Sequence, residues 1–190
     1  MTTIVTGATG SFGRLITAQL LEHLHPAELI LTTRNPPALA NLAARGAHVR
    51  YADFDRPETL AGAFEDGDRM LLISTLSVGR RATQHRNAIE AAVRAGVKHI
   101  VYTSSGGATP ANPAIVIPDH LQTEDALKTS GVAYTISIRS RRPRRRKWSS
   151  ARKANSSGAT GHLIGMSVMC TTSRPPSKCR RARSSATAPS

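Results

Sequence analysis

Thr6-Gly7-Ala8-Thr9-Gly10-Ser11-Phe12-Gly13 is the stretch that decides the fold. The apolar pair Ile4-Val5 precedes it, and Leu15, Ile16, Ala18, Leu20 and Leu21 follow at helical spacing. A strand, a glycine turn and a helix in that order build a phosphate site. Amides at a helix start have no intrahelical partner, and the helix dipole adds partial positive charge there. The three glycines have three expected tasks. Gly7 turns the chain sharply off the strand, Gly10 puts no side chain between backbone and pyrophosphate, and Gly13 lets the helix pack close to the sheet. A glycine triplet alone is a weak signal. Its place between strand and helix makes it a dinucleotide-binding turn.

At 190 residues the chain has room for one domain and a little more. Its formal charge of +14 is unevenly placed. Residues 1–135 hold twelve Lys+Arg and twelve Asp+Glu, whereas residues 136–190 hold fourteen Lys+Arg and no acid. A neutral globular part is thus joined to a segment of different character. Cys170 and Cys179 both lie in that segment, so no disulfide is expected to support the fold, and no metal site is expected. The N-terminus enters a strand pattern directly, without the basic start and long apolar core of a secretory signal. No apolar run approaches the roughly 20 residues that span a bilayer. The expectation is a cytoplasmic protein without a membrane span.

Strands and helices alternate along the chain. Thr2 to Thr6, Glu28 to Thr33, Ala47 to Ala52, Arg69 to Ser74, Lys98 to Thr103 and Val132 to Ile138 read as strands. Phe12 to Leu24, Pro36 to Arg45, Pro57 to Phe64, Thr83 to Ala95 and Asp119 to Ser130 read as helices. Gly46, Gly96 and Gly131 each separate a helix pattern from a strand that follows at once, which suits a left-handed helix cap. Strict alternation with short connections argues a parallel sheet covered on both faces. Right-handed crossovers and a glycine turn after the first strand select a doubly wound α/β sheet of the Rossmann type, strand order 3-2-1-4-5-6.

Ligands in such a sheet bind at the carboxyl ends of the strands, near the switch point between strands one and four. After strand two, an NAD enzyme usually presents an acid to the ribose 2′-hydroxyl. This chain presents Thr33 and Arg34. A guanidinium pairs with a 2′-phosphate bidentately, so the reading is NADP(H); the alternative is a solvated surface arginine. After strand three, Asp53 and Phe54 are placed to frame the adenine, while Asp55 reads equally as a helix cap ahead of Pro57. Ser74 and Thr75 follow strand four, where the backbone should run along the ribose and nicotinamide. Thr103 and Ser104 follow strand five, at the reacting end. His85 reads as a satisfied structural group. His120 and Glu124, one helical turn apart, either face the cleft or form an exposed pair. With Ser104 they are the candidates for catalysis.

One absence is informative. Short-chain dehydrogenases place Tyr and Lys four apart, so that the ammonium lowers the phenol pKa. Tyr51, Tyr102 and Tyr134 have Asp55, Gly106 and Ile138 at that offset. Hydride chemistry here needs an acceptor that asks little of a protein acid. A quinone fits, since its reduced oxygens take protons from water.

Thr6-Gly7-Ala8-Thr9-Gly10, Arg34-Asn35-Pro36, Ala52-Asp53-Phe54-Asp55, Leu71-Leu72-Ile73-Ser74, Gln84-His85-Arg86-Asn87, Ala95-Gly96-Val97-Lys98 and Tyr102-Thr103-Ser104 follow one another in order. As a set, over about residues 3–136, they resemble the NmrA-like branch of atypical short-chain dehydrogenases, nearest its NAD(P)H:quinone oxidoreductase type 2 group. The resemblance implies NADPH held by Gly7, Thr9, Gly10, Phe12 and Arg34, with Ser74 and Thr75 along the cofactor, and a small-molecule acceptor of quinone type. In some relatives a catalytic lysine lies four residues after the helix histidine. Here that place holds Glu124, as in the quinone group. The expected cofactor-binding set is therefore Gly7, Thr9, Gly10, Ser11, Phe12, Gly13, Arg34, Asp53, Phe54, Ser74, Thr75 and Thr103.

The resemblance stops where the composition changes. Residues 1–138 read as the dinucleotide-binding domain and 139–190 as a basic tail beginning Arg139-Ser140-Arg141-Arg142-Pro143. Without apolar periodicity such a tail is expected to be disordered. Three readings of it stand: a basic arm for nucleic acid or an anionic membrane surface, the remains of a chain inactivated by loss of its substrate lobe, and a frameshifted reading of a GC-rich gene. We favour the frameshift. Shifting the frame of a GC-rich back-translation of Gly165 to Lys178 gives a strand-and-helix pattern that resembles the family's continuation. A chain that senses NADP without turnover is the further alternative. The oligomeric state is left open.

Overall fold

The computed structural model describes residues 1–139. The expected tail lies outside the described residues, except Arg139, which closes the last strand. Six strands, β1 (Thr3–Val5), β2 (Leu29–Thr33), β3 (His48–Tyr51), β4 (Arg69–Leu72), β5 (His99–Ser105) and β6 (Ala133–Arg139), form one sheet. All the pairings are parallel, and the order is β3-β2-β1-β4-β5-β6, as the sequence implies. The register places Val5 beside Leu31 on one side and Leu71 on the other.

Side chains alternate across the sheet, so successive residues of one strand serve different cores. Ile4, Ile30, Met70 and Ile100 join Leu60, Phe64 and Ile89 in the larger core. That face carries α3 (Leu60–Phe64), α4 (Arg81–Arg94) and α5 (Ile117–Thr129). Val5, Leu29 and Leu31 join Leu39 in the smaller one, under α1 (Ser11–Leu20) and α2 (Ala40–Ala43). Ile4, Val5, Leu29, Ile30 and Leu31 are wholly buried, which explains why β1 and β2 read as unbroken apolar runs.

Three helices are shorter than their patterns. Residues 21–24 are a turn, with Leu24 N–H donating to the Leu20 carbonyl. Pro26–Glu28, Pro36–Leu39 and Pro57–Thr59 are single 3-10 turns. In each, proline fixes φ at the first position, and the tighter winding takes residues the periodicity assigned to strand or helix. The junction glycines behave as expected: Gly46, Gly96 and Gly131 have φ of +98°, +79° and +75°. At Gly46 and Gly96 both Schellman bonds are present, Ala47 N–H to the Leu42 carbonyl and Val97 N–H to that of Ala92 among them.

Candidate functional site

The glycine turn leaves β1 at the switch point, pinned to both neighbours. Ala8 N–H donates to the Thr32 carbonyl of β2, and Thr6 N–H to the Leu71 carbonyl of β4, each at 3.1 Å. Gly7 sits at φ +60°, a conformation costly for any residue with a Cβ. Gly10 caps α1 with no side-chain bond. Ser11, Phe12 and Gly13 therefore open the helix with amides free of intrahelical acceptors. Gly13 has a different task from the expected one. A Cβ there would lie 2.2 Å from the Gly7 carbonyl oxygen and 2.8 Å from Ala8 Cα. It lets the helix pack on its own turn rather than on the sheet.

Around this turn is an open cleft of about 380 Å³. Gly7, Thr9, Gly10, Arg34, Asp53, Phe54, Ser74 and Thr75 line it, all of them expected. Thr103 acts from behind: its Oγ1 accepts the Ser74 N–H at 2.8 Å. Arg34 is exposed at the rim, and no carboxylate among the described residues lies within ion-pairing distance of it. After β3, Asp53 Oδ1 accepts the Asp55 N–H at 3.1 Å and so shapes the turn it belongs to. Asp55 does not cap the following turn, whose cap position is Arg56 with no side-chain bond. Its carboxylate is instead paired with Arg80 at 2.7 Å and accepts from Gln84 Nε2 at 2.9 Å. The Gln84 bond first, then Arg80 and more distantly Arg34, hold it below the usual carboxylate range.

Gln84 lines the cleft too; it belongs to a motif that carries the family resemblance but is absent from the expected site set. The available signal was spacing: Arg81, Gln84 and His85 fall on one face of α4. His85 is wholly buried, as a structural histidine should be. Burial, then Arg81 and His120, push its pKa down to about 3. Phe54 stands edge-on to it, with ring centroids 6.4 Å apart.

The three catalytic candidates divide. Ser104 Oγ donates to Glu124 Oε1 at 2.5 Å, so β5 and α5 bring these two together. His120 is buried rather than part of an exposed pair, and its Nδ1 lies 2.6 Å from the Tyr102 hydroxyl. Burial lowers the His120 pKa and raises that of the Tyr102 phenol. None of the three lines the cleft. Among the described residues no group of three or more His, Cys, Asp or Glu could hold a metal ion. No helix there is long and apolar enough to cross a membrane.

Residues 7–141 match the model of the NAD(P)H-binding family. The chain belongs to that family. Its NmrA-like character is equally plain. The chain is 40% identical over 132 residues to quinone oxidoreductase 2 of Escherichia coli. It is 36% identical over 138 residues to flvB of Aspergillus flavus, an NmrA-like family domain-containing oxidoreductase. Each match covers 70% of this chain, but only 46% and 45% of the relative. Triphenylmethane reductase of Citrobacter sp., solved in complex with NADP(H), superposes with a TM-score of 0.68 at 35% identity, over 72% of this chain and 48% of that one. The chain spans about half the length of these relatives. What it shares with them is the NAD(P)H-binding domain.

Proposed function

We propose that the cleft binds NADPH in preference to NADH and passes its hydride to a quinone-like acceptor. The observation that carries this reading is the placing of Arg34. It stands at the rim of the cleft that holds the glycine turn, where an NAD site would present an acid. The amides at the start of α1 would hold the dinucleotide's pyrophosphate, and the Arg34 guanidinium would hold its 2′-phosphate. Hydride chemistry is supplied by the cofactor when bound; the chain supplies orientation and charge.

Two observations support a quinone-like acceptor. The Tyr102 phenol, buried against His120, is no proton donor to a ligand in the cleft, and a quinone needs none. Leu76, at the cleft wall after β4, is 95% exposed and offers an apolar seat for a flat ring. The quinone oxidoreductase likeness points the same way.

Titration with NADPH and NADH, followed by quinone-dependent NADPH oxidation, tests the reading. Tighter binding of NADH overturns the Arg34 assignment. NADPH binding without turnover makes the chain a dinucleotide sensor. Salt-dependent DNA binding that is lost on deleting residues 139–190 assigns the basic segment to nucleic acid.

A further inference from the structure

Arg81, Gln84 and His85 stand at i, i+3 and i+4 on α4, and all three reach one residue, Thr75. Arg81 Nε donates to the Thr75 carbonyl at 2.6 Å. Gln84 Oε1 accepts the Thr75 hydroxyl at 2.8 Å. His85 Nε2 accepts the Thr75 amide at 3.1 Å. Amide, carbonyl and hydroxyl of a single loop residue are thus each gripped by a separate side chain. The three side chains are nearly buried, Gln84 being the most exposed at 6%. Burying polar groups of this kind is costly unless each is paired; Gln84 and His85 are each hydrogen-bonded twice, while Arg81 Nη1 is buried without a hydrogen-bond partner. Gln84 Nε2 donates onward to Asp55. His85 Nδ1 lies 3.0 Å from Thr123 Oγ1, whose proton goes to the Asp119 carbonyl. Because Nε2 accepts an N–H, the ring proton sits on Nδ1 and donates to Thr123. Arg81 lies 3.9 Å from Asp119 Oδ2, which accepts the Gly79 N–H at 2.8 Å.

Surface loops are ordinarily the mobile part of such a fold. This one is fixed at the residue where the cleft leaves β4. The sheet order puts Arg34 after β2, the glycine turn after β1 and Thr75 after β4. A dinucleotide whose 2′-phosphate were held at Arg34 would cross the turn and reach Thr75 with its other end. We propose that Arg81, Gln84 and His85 are positioning residues, which hold the Thr75 peptide as the rigid wall that orients the nicotinamide ring. The proposal rests on the NADPH reading above. Affinity resides at the phosphate end; the trio governs the angle at which the ring is presented. The neutral state of His85, enforced by burial, keeps its Nε2 an acceptor.

The test uses the full chain, NADPH as probe and two readouts: quinone-dependent NADPH oxidation, and the fluorescence anisotropy of the bound reduced nicotinamide. His85→Leu removes the acceptor; His85→Gln puts an amide oxygen back near the place of Nε2. Gln84→Leu is an independent variant that leaves His85 in place. With His85→Leu, kcat falls by roughly ten- to a hundredfold, because a misplaced ring loses its near-attack geometry. The NADPH Kd stays within about threefold of the parent, since the lost interaction is one of orientation. The bound nicotinamide gains mobility. Gln84→Leu shifts both readouts in the same direction, and His85→Gln recovers most of both. The proposal is overturned if both Leu variants leave the bound nicotinamide as immobile as in the parent. It is equally overturned if they weaken NADPH binding and leave kcat unchanged, or if His85→Gln performs no better than His85→Leu. A parent chain that binds NADPH and reduces no quinone overturns the acceptor reading alone, and the anisotropy still decides the role of the trio.

Discussion

Thr9 Oγ1 and Thr33 Oγ1 lie 2.8 Å apart, and this contact ties the glycine turn to the last residue of β2. Thr33 Oγ1 also accepts the Asn35 N–H at 3.1 Å. The peptide carrying Arg34 is therefore held from both sides of one hydroxyl, and the glycine turn and the Arg34 loop form one unit.

From this unit follows the first prediction. Arg34→Asp lowers NADPH affinity by roughly ten- to a hundredfold and leaves NADH affinity unchanged or improved, because a bidentate charge-assisted contact is replaced by repulsion. Thr33→Val, which keeps the shape and deletes the hydroxyl, gives a smaller loss in the same direction, about fivefold for about one net hydrogen bond. Parallel titrations of the two cofactors decide it. An equal loss for both would place Arg34 outside the site.

Gly13 and Gly46 are predicted to fail differently. Alanine at Gly13 meets backbone atoms at 2.2 and 2.8 Å, which cannot rotate away. Gly13→Ala should cost about 1–3 kcal/mol of stability and abolish NADPH binding, since the turn itself must open. Around Gly46 a Cβ meets nothing within 4 Å, but φ is +98°. Gly46→Ala should cost about 1 kcal/mol through backbone strain alone and leave NADPH binding intact. Denaturant unfolding with cofactor titration on the same samples separates the two. Intact binding in Gly13→Ala would refute the packing argument.

Much of the fold was legible because it depends on local signals. The six strands and their order follow from Ile4-Val5, the glycine turn and the three capping glycines, each a property of a few adjacent residues. The short α2 was not legible, because Pro36 and Pro37 start a 3-10 turn inside a pattern that also fits an α-helix. The cleft was legible where site residues directly follow strands, as at Arg34, Asp53 and Ser74. It was not legible at Gln84, whose role comes from partners at Asp55 and Thr75 that only the folded sheet brings to it. The same holds for Tyr102 and His120, which face each other because β5 and α5 pack together.

Stability should fall on mild acidification. His85 has its pKa lowered from 6.5 to about 3 in the folded chain. Between those values the unfolded chain binds the proton and the folded chain does not, so stability is full above about pH 6.5 and declines as pH falls below it. The slope is about 1.4 kcal/mol per pH unit for each such histidine. His120 and His99, lowered in the same direction by burial, add to it. The charged or titratable groups that act on His85 are Arg81 on its own helix and His120 on α5, and both reinforce the shift. Asp55 and Asp68, lowered by Gln84 and Lys98, keep their stabilisation above the ordinary carboxylate range and lose it only at lower pH. Urea midpoints measured from pH 7.5 to pH 5 should therefore drop in the parent and drop less in His85→Gln. Identical slopes in the two would remove His85 from the account.

The last prediction concerns Glu124 and Ser104. Their 2.5 Å contact joins the end of β5 to α5, with the nearly buried hydroxyl of Ser104 as donor and the carboxylate as acceptor. A carboxylate acting on substrate would need its proton free to move; a carboxylate acting as a brace needs only its lone pair. Gln keeps that lone pair, so Glu124→Gln should retain quinone-dependent NADPH oxidation within about threefold of the parent. Glu124→Leu removes the acceptor and strands the Ser104 hydroxyl away from water, which should cost about 1–3 kcal/mol of stability. The same stranding does not occur in Ser104→Ala, so that variant should be milder than Glu124→Leu, because the half-buried carboxylate can turn to solvent. Turnover assays and urea unfolding of the three variants give the ranking. A fall in kcat of a hundredfold or more in Glu124→Gln, with stability unchanged, would instead make Glu124 the group that moves a proton.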